Sequence, residues 1–393
     1  MNRRTFLLAA GTSAAASRVR AANDALRVGV LGSGGRARHL MKSLAAMPAV
    51  RITAVCDAWD VALAEGMKMA DPQAFATKQS AELLARKDVD AVLIGSPDHW
   101  HVAHTVAACA AGKDVYVEKP LTHALSEGEA VIAAQNAHKR IVQVGTQQRS
   151  MPHIAKARDL VRAGRIGKVV KVKMSWNRNA DRVRRFPLGV KPEQVDWQAF
   201  LGSAPAQPFD EYRFRNWRWF WHFGGGIFTD LMVHWIDVAH WVLGVDHPLK
   251  AVSLGEHFAA KDVWETPDTV QTILSYPGGV QMHFEGTFSN ARNAARVEFL
   301  GTDATLYVDR GRYELIPEKG RKVEAEQLIL GTGPPGADFY DKPDGEKLHL
   351  ENWLDCVRSR KAPVAPAEAG VSSAGAAHLA NLALRNGGVA LWK

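Results

Sequence analysis

Cysteine is nearly absent from this chain. Cys56, Cys109 and Cys356 are odd in number, far apart and embedded in apolar stretches. That pattern excludes a disulfide framework, and no Cys/His spacing suits a structural metal. Apolar runs are short as well. None reaches the roughly 20 residues a membrane-spanning helix needs. Clustered positive charge is missing from the body of the sequence. The formal net charge is +8, but four of the cations, Arg3, Arg4, Arg18 and Arg20, fall in the first 22 residues, which hold no acid. The remaining +4 is spread without a basic run, so nucleic acid is not an expected partner. Internal repeats and low-complexity segments are absent too.

What is present begins at the N-terminus. Asn2-Arg3-Arg4-Thr5-Phe6-Leu7 opens a short Ala-rich stretch that ends in Arg18-Val19-Arg20-Ala21-Ala22. A twin arginine, a mildly apolar core and small residues near a cut site describe an export signal over residues 1–22, read by the twin-arginine translocase. A periplasmic or otherwise exported protein is the expectation. That route moves folded proteins and is commonly used when a cofactor must be loaded first.

From Leu26 onward, β-branched runs alternate with helical stretches. Arg27–Leu31, Arg51–Asp57, Ala91–Gly95, Asp114–Glu118 and Ile141–Gly145 read as strands buried on both faces. Strand then helix, repeated over short loops, predicts a doubly wound parallel sheet across 24–145. The texture then changes. Residues 146–393 carry a strand at Gly167–Trp176, a tryptophan-rich loop, a helix over about Ile227–Leu243, and alternating runs from Leu249 to Ile316 joined by Gly-containing turns. These predict a second, α+β domain with a large, mostly antiparallel sheet, finished by two helices within 348–384.

The polar punctuation of this pattern points to chemistry. Gly32-Ser33-Gly34-Gly35-Arg36-Ala37 follows the first strand and opens a helix. Gly32 permits the tight turn, Gly34 lets backbone approach a pyrophosphate, and Ala37 allows close helix packing. Asp57 ends the second strand, where a carboxylate accepts hydrogen bonds from ribose hydroxyls and repels a 2′-phosphate. NAD is therefore expected over NADP, with Arg36 and Arg38 as the cations able to reach a 2′-phosphate. Ser96, Pro97, Asp98 and His101 follow the next long strand at the sheet's ligand-binding edge; Asp98 is equally suited to cap a helix. Glu118-Lys119-Pro120 ends a later strand. Far downstream, Asp230 and His234 stand four apart on a helix, hence on one face. Asp237 and His240 continue that stripe as hydrogen-bond partners rather than as metal ligands.

Gly32–Ala37, the Ser96–His101 loop, Glu118-Lys119-Pro120, Gly145-Thr146-Gln147-Gln148-Arg149 and Gly225–Asp237 together resemble the glucose–fructose oxidoreductase / inositol dehydrogenase (Gfo/Idh/MocA) family. The resemblance runs from about Leu26 to the C-terminus. It implies a Rossmann domain, a C-terminal domain whose open sheet packs between subunits as a homodimer or homotetramer, and hydride transfer between nicotinamide and a carbinol of a sugar, glycoside or polyol. Lys119, Asp230 and His234 then form the catalytic set: His234 takes the hydroxyl proton, Lys119 polarises the oxygen or relays the proton, and Asp230 orients. By the same resemblance Glu118, Trp217 and Arg218 line the cofactor, and the Lys119–Pro120 bond is cis; Gln147 and Arg149, which follow the sixth strand where the domains meet, are expected to touch cofactor and substrate respectively. Two other readings stay open: an NAD-dependent glycoside hydrolase working by transient oxidation and elimination, and a non-catalytic sugar- or NAD-binding protein.

Overall fold

The computed structural model describes residues 25–179, 183, 187–337 and 344–392, and all counts below refer to these. The export signal expected over 1–22 lies outside them. The N-terminal sheet takes its strands in the order β3-β2-β1-β4-β5-β6, all parallel. They are β1 (Leu26–Leu31), β2 (Val50–Cys56), β3 (Phe75–Thr77), β4 (Ala91–Ile94), β5 (Asp114–Val117) and β6 (Val142–Val144). Strands β4, β5 and β6 are buried along their whole length, because helices cover both faces of the sheet, and they show no alternation. β3 is only three residues long, too short to show a period in the sequence.

The second sheet has nine strands: β7 (Val169–Asn177), β8 (Lys250–Glu256), β9 (Thr269–Ser275), β10 (Gln281–Thr287), β11 (Ala295–Gly301), β12 (Ala304–Val308), β13 (Arg312–Pro317), β14 (Glu326–Ile329) and β15 (Val389–Leu391). Their order is β14-β13-β12-β11-β7-β10-β9-β8-β15, antiparallel except for the β7–β10 pair. One face packs on the helix Val233–Leu243 and on part of the last helix, Ala367–Arg385, around Trp235, Phe228, Phe284 and Phe299. The other face is open, which explains the strict alternation of β8 and β9.

The domain boundary differs from the sequence-based one. The helix Gly345–Ser359 returns to the first sheet and buries Leu350, Trp353, Leu354 and Val357 against Val28, Val30, Leu40 and Tyr116. That spacing of three, four and seven is one apolar helical face, and this sheet face requires a cover. The Rossmann domain is thus built from two separate segments. The helix also starts three residues before the expected Leu348, with Asp344 accepting a hydrogen bond from the Lys347 N–H.

Buried imidazoles are a recurring feature of this fold. Burial pushes His99, His349 and His378 down to about 4, and His104 and His240 to about 3. Because the folded values lie below the unfolded one, this contribution to stability is fully present above pH ~6.5 and is lost as pH falls toward the folded values. Thermal unfolding followed across pH should show Tm lower by roughly 10 °C or more at pH 5 than at pH 7.5.

Candidate active site

Two adjoining cavities open along the carboxyl edge of the parallel sheet. The first, about 520 Å³, runs over the glycine loop and is lined by Gly32, Gly34, Gly35, Arg38, Asp57 and Pro97. The second, about 410 Å³, lies between the domains and holds Asp98, Glu118, Lys119, Gln147, Asp230 and His234. Arg36, Ser96, Trp217 and Arg218 border both. Lid residues of the first cavity come from the second domain: Phe200 and Phe214 are tied over it by the Asp196 N–H donating to the Ala58 carbonyl and by the Trp100 indole donating to the Phe200 carbonyl.

The glycine loop fits a dinucleotide. Gly32 has φ +82°, and a Cβ there would sit 2.5 Å from the Ser96 nitrogen. The helix Gly35–Ala45 begins at Gly34 with no side-chain cap, so its first N–H groups face the cavity. A Cβ on Gly95 would lie 2.7 Å from that of Ala37, the close helix–strand approach that a small residue permits. Ser33 itself faces inward. Its N–H donates to Asp57 Oδ2 at 2.7 Å and its hydroxyl to the Ala62 carbonyl, so it braces the loop rather than lining the cavity. Burial raises the Asp57 carboxyl, opposed by the Trp59 and Ser33 N–H groups. Arg36 is held by two carboxylates, with Nε on Glu118 (2.8 Å) and Nη1 on Glu346 (2.6 Å); Arg38 is the cation beside Asp57.

Asp98 is not a cap. It is the first residue of the helix Asp98–Ala110, Pro97 holds the cap position without a side-chain bond, and the Asp98 carboxyl sits in the cavity wall. Burial pushes it up to about 8, against the pull of Lys119 and Arg218. His101 lies in the same wall, but its ring is held between the carbonyls of Pro120 and Ser96 at 2.6 and 2.8 Å, so it positions the loop. The Lys119–Pro120 peptide is cis.

Lys119 is the centre of the second cavity. Its Nζ donates to the backbone carbonyl of Asp230 (2.7 Å) and to Asp230 Oδ1 (2.9 Å). An ammonium has three N–H donors, so one is left for the cavity. Arg218 Nε lies 3.3 Å from the same carboxylate oxygen. Burial alone pushes Asp230 up, but Lys119 and Arg218 outweigh it and hold the carboxyl well below its ordinary range. Asp230 lies in a π-helical turn, Phe228–Met232, which precedes the α-helix carrying His234, so the two are not related by a regular four-residue turn. His234 Nδ1 is 3.2 Å from Gln148 Oε1; a carbonyl acceptor there requires Nδ1–H and leaves Nε2 as the free base. Burial first, then Lys119 and Arg310, push this imidazole well below its ordinary value. Its ring packs on Trp176 at 5.1 Å.

Arg149 does not reach the cavity, which corrects the sequence-based reading. Its guanidinium grips Asp237 with two bonds, Nε to Oδ2 at 2.8 Å and Nη2 to Oδ1 at 2.9 Å. Burial raises the Asp237 carboxyl even so. Arg149→Met strands that carboxylate and should destabilise the protein by about 3–5 kcal/mol, measurable by denaturant unfolding. His240 is likewise structural, bonded to the Ser372 and Tyr276 hydroxyls. Trp219 stacks on Trp264 at 4.3 Å inside an aromatic cluster. Among the described residues no group of His, Cys, Asp and Glu is placed to hold a metal ion, and no helix is long and apolar enough to cross a membrane.

Residues the sequence did not single out complete the site: Gln148 behind His234, Trp176 at the end of β7, Glu346 from the late helix, and Arg178 and Arg310. Gln148 stood within a recognised motif; the others had no local signal.

A six-stranded parallel sheet in this order, a glycine turn feeding an uncapped helix, and a lysine–carboxylate–imidazole set at the cleft define a dinucleotide-dependent oxidoreductase. Residues 26–146 match the oxidoreductase family with an NAD-binding Rossmann fold, and residues 154–307 match the GFO/IDH/MocA C-terminal domain. The chain belongs to the Gfo/Idh/MocA oxidoreductases. It is 26% identical over 368 residues to inositol 2-dehydrogenase of Rhizobium meliloti, covering 92% of this chain and 96% of that one. It is also 26% identical over 290 residues to scyllo-inositol 2-dehydrogenase (NAD(+)) of Bacillus subtilis, 72% of each. Levoglucosan dehydrogenase in complex with NADH and levoglucosan has the same fold, with TM-score 0.70, 17% identity, and coverage of 93% and 99%.

Proposed function

We propose that this protein oxidises a secondary hydroxyl of a sugar, glycoside or polyol, using NAD that it holds tightly. The observation that carries the reading is the Lys119 ammonium, fixed by two bonds to Asp230 with its third N–H directed to a cavity that also holds His234. Bound nicotinamide supplies the two-electron acceptor. The protein's own residues handle the oxygen and its proton. Lys119 donates to the substrate oxygen and stabilises charge on it as the carbonyl forms. His234 takes the hydroxyl proton at Nε2, its tautomer set by Gln148. Asp230 fixes the lysine and, with its negative charge, supports a protonated imidazole. NAD is preferred to NADP because the Asp57 carboxyl stands in the glycine-loop cavity, Arg36 is held by Glu118 and Glu346, and Arg38 is engaged by the Ser33 carbonyl.

The same reading includes export through the twin-arginine pathway, on the strength of residues 1–22, and a redox cycle closed by a second carbonyl acceptor. It also includes a homodimer or homotetramer. The open face of the second sheet exposes Val170, Val252, Leu254, Ile273 and Ile316, an apolar surface suited to a second copy.

The test uses protein purified without added cofactor. Denaturation should release NAD, and adding carbinols to the intact protein should raise reduced-nicotinamide absorbance. Glycoside cleavage without lasting reduction would instead identify the hydrolase chemistry. Failure to retain or bind any dinucleotide would overturn both.

A further inference from the structure

Four carboxyls line the catalytic cavity among the described residues, and three are committed. Glu118 and Glu346 hold Arg36, and Asp230 holds Lys119 and Arg218. Asp98 is the exception. Among the described residues no group donates a hydrogen bond to its carboxyl and none forms an ion pair with it, although only 4% of the residue is exposed. Its oxygens are not sealed in protein but open on the cavity. A carboxyl taken out of water without a partner is costly as an anion. As a neutral acid it has one O–H to give and, once ionised, a place to receive a proton.

The surroundings set two titratable groups of the cavity apart. Lys119 and Glu118 face Asp98 from just past β5, Arg218 from the turn Trp217–Trp219, and Asp230 from the π-turn. His101, on its own helix, is bound by two carbonyls. Burial outweighs the two cations and pushes the Asp98 carboxyl up to about 8. His234 goes the opposite way, well below its ordinary value, through burial, Lys119 and Arg310. An imidazole so depressed takes a proton as the carbonyl forms but does not keep it near neutral pH. A group of higher proton affinity in the same cavity is where that proton comes to rest, and groups pushed apart in this way mark the two ends of a proton transfer. Lys119 leads the charges felt by both, so its ammonium stands close to each.

We infer that Asp98 is a second proton-transfer group of this site: its carboxylate receives, by way of His234, the proton that the carbinol gives up, and its acid form returns one when a carbonyl is reduced. This rests on the dehydrogenase reading above and deepens it. The carbinol's C–H electron pair leaves with the hydride for the bound nicotinamide. The O–H proton passes to His234 Nε2 and then across the cavity to an Asp98 oxygen. The substrate is left as a ketone, the imidazole is neutral again, and the Asp98 acid gives its proton to solvent.

The test uses NAD-loaded wild type, Asp98→Asn and Asp98→Glu, with inositols and methyl glucosides as carbinols and their ketones as reverse substrates. In wild type the single-turnover oxidation rate should rise at least about tenfold between pH ~6.5 and ~9.5, through an inflection near pH 8. Ketone reduction by the loaded reduced cofactor should fall over the same range. Asp98→Asn should flatten both profiles and lower oxidation above pH 8 by at least about tenfold, in kcat rather than KM, with NAD content unchanged. Asp98→Glu should restore the inflection. Infrared spectroscopy gives a readout apart from turnover: the neutral-acid carbonyl stretch should disappear near pH 8 in wild type and be missing from Asp98→Asn. Flat profiles in wild type, or an Asp98→Asn rate within about threefold of it, would overturn the inference and leave the dehydrogenase reading standing. So would loss of NAD from Asp98→Asn, which would make Asp98 a cofactor contact. If no carbinol reduces the bound NAD, the dehydrogenase reading fails and this inference with it.

Discussion

Replacing Lys119 with methionine is expected to lower kcat about a thousandfold while the dinucleotide stays bound. The two bonds to Asp230 make this lysine a fixed donor, and in the proposed reaction charge builds on the substrate oxygen that it would meet. Methionine keeps the length of the stem and removes the charge. The cofactor contacts over the glycine loop belong to the other cavity and are untouched. Asp230 retains Arg218 at 3.3 Å, so it is not left without a cation. Lys119→Arg is expected to rescue little, because a planar fork cannot present one N–H from the same point. Single-turnover reduction of bound NAD measures the effect. A loss under tenfold, with NAD content unchanged, would remove Lys119 from the chemistry.

His234→Asn is expected to cost about 10²–10⁴ in kcat, the usual contribution of a positioned general base. The pH profile carries the sharper evidence. A base works when neutral, so activity falls as pH drops through its pKa. Burial, Lys119 and Arg310 push that value well below the ordinary imidazole range. The wild-type rate should therefore show no histidine limb between pH 8 and 6, only a decline at more acid pH. The variant should lose that decline. A separate inflection near pH 8 is expected from Asp98, which burial pushes up to about 8, and Asp98→Asn should abolish it. An acid limb that survives in His234→Asn would show that another group is the base.

Much of the first domain was legible in the sequence because its signals are local. A strand, a glycine turn and a helix lie within twenty residues, and the turn works only in that order. The candidate set that the structure brings into one cavity was legible for a similar reason: Glu118-Lys119-Pro120 and Asp230 with His234 are short patterns. The alignment of Asp230 with His234 was read as one regular helical face, yet a π-turn intervenes, and no side-chain period announces it. Arg149 shows the opposite failure. Its residue type and its position after a strand suited a ligand contact, but Asp237, 88 residues away, holds it. The helix Gly345–Ser359 was amphipathic on sight, but which sheet its apolar face would cover was not.

By itself, then, the sequence determined the class of fold, the dinucleotide turn, and the lysine and histidine on which the chemistry is proposed to rest. These depend on backbone conformation and on residues close together in the chain. Tertiary structure alone decided what surrounds them. It brought Glu346 onto Arg36 across 310 positions, set Gln148 behind His234, and stacked Arg178 and Arg310 on Trp176 beside the same imidazole. Hydrogen bonds, charge pairing and burial act through space, so the groups that tune a site need have no order along the chain.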